Sequence, residues 1–172
     1  MVSEECRRLP SRLRASAEEA VSAIMAGKAA IHDVVAEVDA GTMCASCKGA
    51  CCRSGKYHFT AVDLLVYLVE GKALFVPRFN QEACPYLGEQ GCLMSPVFRP
   101  FTCITFNCEL VDGLLEPAEK DRLRSLEHEL RGHYSTLENL FGIRLRGGLL
   151  MDGERAALQG RSAILLHRPG SR

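Results

Sequence analysis

No stretch of this chain approaches the roughly 20 consecutive apolar residues that a membrane-spanning helix needs, so no span is expected. Charge of one sign is missing too. Lys plus Arg number 21 and Asp plus Glu number 21, which leaves no net field to draw the chain to nucleic acid or to an anionic membrane surface. The first residues carry Glu4, Glu5, Arg7 and Arg8 where a secretory signal would need its apolar run, and the expected location is the cytoplasm. No G-x-S-x-G elbow, P-loop or dinucleotide fingerprint occurs, and Gly147-Gly148 reads as a turn rather than a phosphate cradle. Internal repeats and low-complexity tracts are absent as well.

What is present fits one folded unit. The chain has 172 residues, 47% of them apolar, enough for a hydrophobic core in a single domain spanning residues 1–172. Nine cysteines are far more than chance supplies, and a cytoplasmic setting keeps ordinary thiols reduced. Metal binding therefore outranks disulfides as their purpose.

Hydrophobic periodicity predicts a mainly α architecture. In residues 16–41, Val21, Ile24, Lys28, Ile31, Val35 and Val38 recur every three or four positions and define one helical stripe, with Glu18, Glu19 and Lys28 open to water and Gly41 as the stop. A second, shorter helix is expected after Thr60, an N-cap with Asp63 three residues on as a short-armed capping box, ending at Gly71. Between residues 76 and 100, Pro77, Pro85, Pro96 and Pro100 with Gly88 and Gly91 forbid a long helix and predict loop. Residues 117–141 read as a helix of about six turns, with Pro117 at its first position and Leu123, Leu126, Leu130, Leu137 and Leu140 near heptad spacing. The two long helices bracket an irregular, loop-rich, cysteine-bearing core, residues 44–108, and packing antiparallel beside it is the simplest way to bury their stripes. In the tail, residues 142–172, turns at Gly147-Gly148 and Asp152-Gly153 allow a small hairpin.

The chemistry concentrates in that core. Cys44, Cys47, Cys51 and Cys52 lie within nine residues, and Cys84, Cys92, Cys103 and Cys108 follow from a turn-rich region; only Cys6 stands outside. A lone C-x2-C pair says little, but eight thiols so grouped point to chelation of Zn²⁺ or iron, the latter as an ion or a [4Fe–4S] cluster. Thiolates are soft ligands, and several around one ion tie down loops that lack enough apolar surface to order themselves. If residues 44–52 were helical, Cys44, Cys47 and Cys51 would share a face and Cys52 would turn about 100° away from Cys51. Either two sites, or one site plus thiols kept for redox work, satisfies that geometry. Lys48, Arg53, Lys56 and Arg99 are placed to offset the negative charge of thiolates on a metal.

The arrangement C-x2-C-x3-CC at residues 44–52, then Cys84-Pro85-Tyr86-Leu87, Cys92, Arg99-Pro100 and Cys103, resembles the YkgJ-type cysteine cluster family, a zinc- or iron-chelating domain. The likeness covers about residues 44–108, and Thr60 and Asp63 fall where that family carries Leu-Thr-x-x-Asp, with Phe59 here in place of the leucine. Departures are Leu93-Met94 where the family often has Ile-Tyr, and Ile104 where it has an arginine. The resemblance implies metal chelation; a similar cluster occurs in flagellin lysine N-methylases, but nothing in this short chain supplies the cofactor loop that such an activity would need.

Other candidates are weaker. His58 lies close enough in sequence to the first cysteines to replace a thiol as ligand, although a packed or solvated histidine is the commoner role. His128 and His133, five apart on one helix, point about 140° away from each other and make no two-histidine metal face. The acid–base pairs His32-Asp33 and Glu127-His128-Glu129 read as charged helix faces. The favoured function is a metal-binding protein, with an iron–sulfur redox protein or a protein-modifying enzyme as the alternative. A third reading makes the long helices a docking surface for a protein partner, with the metal as a staple.

Overall fold

The structure, a computed structural model, describes residues 2–47, 49, 50, 52, 55–74, 84–89, 91–158 and 165, without the side chains of Cys44, Lys56 and Ala156. It is mainly helical. A short helix α1 (Val2–Arg7) leads to α2 (Ser11–Ala36), which begins directly after Pro10, held at φ −55°, ψ 144°. The predicted first helix, 16–41, is therefore displaced and broken. Its chain leaves helical geometry at Asp39, where φ is +53°, a left-handed step that the short side chain of Asp tolerates. Helix α3 (Ala40–Ser46) then resumes in a new direction with Gly41 inside it rather than ending the helix.

Helix α4 (Ala61–Val69) is set by its ends, as its sequence predicts. The Thr60 hydroxyl accepts from the Asp63 amide, the Asp63 carboxylate accepts from the Thr60 amide at 3.0 Å, and Gly71 at φ +60° follows the last turn. After short helices α5 (Phe101–Thr105) and α6 (Glu109–Asp112) comes α7 (Pro117–Phe141), which matches the predicted 117–141. Pro117 lacks an N–H that no helix start could use, Glu116 and Glu119 cap the first turn, and Gly142 closes the last at φ +66°.

The long helices α2 and α7 form the most extensive helix pair of the molecule. Gly27 lets Leu130 approach, Lys28 stands over the Tyr134 ring, and Ile31 shares a cleft with Leu123 and Glu127, the order of an antiparallel pair. Val21, Ile24, Ile31, Leu65, Leu130, Leu137 and Tyr134 are the centre of the core, each essentially sealed from water. Each buried aliphatic side chain of this size stabilises by about 1.5–3 kcal/mol before entropy is counted. The same cluster runs from Val2 on α1 to Leu165, whose amide donates to the Glu5 carboxylate at 2.6 Å.

Two expectations for the irregular parts are overturned. Among the described residues the hairpin lies in the stretch predicted as loop, where β1 (Leu87–Gly88) pairs antiparallel with β2 (Gly91–Cys92), whose Gly91 is at φ +106°. The Pro77 region lies outside the described residues. In the tail, Asp152-Gly153 is no turn but part of helix α8 (Leu149–Leu158). Leu, Met, Glu, Arg and Ala there are good helix formers, and a single glycine costs only about 1 kcal/mol. The start of α8 is stitched to the cap of α4 by a Thr60–Gly148 bridge and by the Leu149 amide donating to the Phe59 carbonyl at 2.6 Å. A side chain at Gly148 would run into the Tyr57 carbonyl oxygen. Among the described residues, no helix is long and apolar enough to cross a membrane.

Candidate metal centre

The cysteine-bearing segments meet although they are far apart in sequence. Helix α3, whose backbone includes Cys44 and whose C-cap is Cys47, packs on strand β2, which ends at Cys92, and on α6, whose N-cap is Cys108. The turn after α3 is locked by Cys52 donating its amide to the Gly49 carbonyl at 2.8 Å. At Gly49, φ +73°, the Leu87 side chain lies where a Cβ would stand, so the turn rests on the hairpin. Helical geometry ends at Ser46, so the common helical face considered for Cys44, Cys47 and Cys51 does not form as a continuous helix; Cys51 lies outside the described residues.

Cys52, Cys84, Cys92 and Cys103 lie in one neighbourhood of the fold. Cys52 packs with Cys84, Tyr86 and Met94 in a small apolar cluster beside Leu87 and Phe59. The Cys84 Sγ fills the space above Gly55 at 2.5 Å from an ideal Cβ position, so nothing larger than glycine fits there. Cys103, in the single turn of α5, carries the most perturbed of these thiols. Burial first, and then negative charge on Cys84, Cys92 and Asp63, push its pKa up to about 12, against a lowering pull from Arg99. Burial likewise raises Cys84, with Cys92 adding to the rise and the Tyr86 amide opposing it. Arg99 is thus the expected offsetting cation that is on hand; its Nε donates to the Met94 carbonyl at 3.2 Å. Lys48 and Arg53 lie outside the described residues.

His58 joins this group. Its Nδ1 lies 3.5 Å from the Cys103 Sγ, and burial lowers its pKa. Both shifts favour neutral partners, a thiol against an imidazole, and disfavour the thiolate–imidazolium pair of an activated nucleophile. Cys6 is remote: it packs against the main core, and the charges that act on its raised thiol are Arg14 and Glu18. Cys6, Cys84, Cys92, Cys103 and Cys108 carry free thiols. Among the described residues, no three His, Cys, Asp or Glu side chains are arranged to hold a metal ion.

Beside the thiols lies a buried polar knot that sequence reasoning missed. Lys28, expected in water, is fully enclosed, and its Nζ donates to Asp63 Oδ1 at 3.0 Å. Tyr134 donates to the same oxygen at 2.7 Å, and the Thr60 hydroxyl to Oδ2 at 2.7 Å. The carboxylate that caps α4 thereby also pins α2 and α7. The signal was present: Lys28 sits on the apolar stripe of its own helix, and Tyr134 falls between Leu130 and Leu137 on the buried face of α7. Comparison of the chain with family models, with curated proteins and with solved structures found no match.

Proposed function

We propose that this chain is a metal-chelating protein of the YkgJ-type cysteine cluster kind, holding zinc or iron on thiolates of the 44–108 region. The observation that supports this reading is that Cys52, Cys84, Cys92 and Cys103 share one neighbourhood of the fold, with His58 Nδ1 3.5 Å from the Cys103 Sγ. Soft sulfur donors with an imidazole are the set that zinc and iron select. Cys84 and Cys103 are raised by burial and by neighbouring thiols, with Arg99 only a partial offset at Cys103, and a bound cation is the partner that would let them ionise together. Cys44, Cys47, Cys51 and Cys108 then complete this site or form a second one nearby. Bound metal would supply cross-linking, and, as iron, electron transfer. Arg99 offsets negative charge there, and the Lys28–Asp63–Tyr134 knot fixes α2, α4 and α7, with α3 and α5, which carry cysteines, packed on α2. A thiol-reducing cytoplasm is the setting in which such a cluster stays available to metal.

A second reading, an iron–sulfur redox protein, is favoured by the number of thiols, since the eight cysteines of residues 44–108 exceed the four that one tetrahedral zinc takes up. Anaerobic purification followed by elemental analysis and an absorption spectrum tests both. Stoichiometric zinc in colourless protein supports the first, and brown protein whose visible band bleaches on reduction supports the second. Protein that takes up neither metal, with every thiol titratable, would overturn the proposal.

A further inference from the structure

A cleft of about 610 Å³ opens beside α5. Its walls come from α5, α7, the segment leading into α4 and Arg146 beyond the end of α7. Its inner wall is rigid: Tyr134 and Thr60, both buried, line it and are held by Asp63. Two guanidinium groups reach it. Arg131 lies with its Cζ 4.9 Å from the centre of the Phe101 ring, which fixes its plane. Arg146 is anchored by Glu138, which takes its Nε at 2.8 Å and also accepts the Leu145 and Arg146 amides. Glu138 also takes a terminal guanidinium nitrogen at 2.6 Å, so Arg146 is held as an ion pair at the cleft wall. The acid in the lining is Glu127, paired with Arg131 at 2.6 Å.

The lining combines two guanidinium groups, each in an ion pair, with the hydroxyls of Thr102 and Thr105 and an apolar wall. That wall includes Phe106, which is 56% exposed although it is a large aromatic residue. A guanidinium has five donors in a planar fork, and an exposed pair with Glu127 uses few of them at little energetic cost to exchange. From this geometry we infer that the cleft binds a small organic anion, a carboxylate or phosphate head on an apolar body. The head meets Arg131 and Arg146, and the body lies against Phe101 and Phe106. The ligand then sits beside His58, which lines the cleft and touches Cys103 on its other side.

Calorimetric titration of the full chain as purified, with metal content measured on the same sample, tests this. The probes are benzoate, phenyl phosphate and inorganic phosphate. Saturable binding of benzoate or phenyl phosphate, weakened about tenfold or more in Arg131→Gln, is expected from loss of one charge-assisted contact. Phe106→Ala should weaken phenyl phosphate and leave inorganic phosphate unchanged, which separates the apolar body from the anionic head. Arg8→Gln, on an exposed pair with Glu4, should change nothing. Retention of binding in Cys103→Ser, even as metal is lost, keeps this inference distinct from the chelation proposal. No saturation by any probe, or equal affinity in Arg131→Gln, overturns it.

Discussion

At the residue scale, the most consequential group is the enclosed ammonium of Lys28. Removing one partner of a buried pair strands the other charge, at a cost of about 3–5 kcal/mol, so Lys28→Met should lower the free energy of urea unfolding by that order. The double change Lys28→Met with Asp63→Leu should cost much less than the sum of the singles, and additive effects would mean the pair is not coupled. The thiols give a second residue-scale expectation. Cys103→Ser should reduce bound zinc or iron sharply in elemental analysis while Cys6→Ser leaves it unchanged, because Cys6 packs against the helical core instead. Equal losses would move the boundary of the centre. Sequence composition announced the cysteines plainly; it hid Lys28, because a lysine on a helix is ordinarily solvated, and only its Asp63 partner on another element makes its burial tolerable.

At the element scale, legibility followed the strength of local signals. Helices α4 and α7 appeared where their caps predicted because the Thr60–Asp63 and Glu116–Glu119 boxes, Pro117, Gly71 and Gly142 act within a single turn. The long first helix was misread at both ends: it begins at Ser11 rather than 16, and the left-handed Asp39 that follows it leaves no mark in hydrophobic spacing. The hairpin and α8 were exchanged for a similar reason. Glycines mark both turns and close approaches, and Gly148 serves the second, with its bridge to Thr60. Gly148→Ala should therefore cost about 1–3 kcal/mol by overpacking against Tyr57. Helix α8 should show increased amide hydrogen exchange in that variant; unchanged protection would mean that α8 is held by something else. Gly142→Ala meets no neighbouring atoms and should cost only about 1 kcal/mol for its left-handed backbone.

At the scale of the whole molecule, two layers respond differently to conditions. The helical core is apolar around its one buried Lys28–Asp63 pair, whereas the cysteine region carries thiols that burial holds protonated. In metal-free protein the Cys103 thiol, ordinarily ionising near 9.0, stays protonated to about 12, and Tyr67 and Tyr86, ordinarily near 10.0, are pushed up to about 12 by burial. Their stabilisation is full while the unfolded chain is also protonated, below pH 9, and is lost as pH climbs toward 12. Metal-free protein should accordingly lose thermal stability across that alkaline window, and Cys103→Ser should flatten the decline by up to about 1.4 kcal/mol per pH unit, one proton's worth. An unchanged slope would show that Cys103 ionises as readily in the fold as outside it. The enclosure of Lys28 has one more consequence. An acylating reagent reaches its amine only when α2 parts from α4 and α7, so the appearance of its adduct in a peptide digest times the breathing of the native core, with exposed Lys72 as an immediate reference.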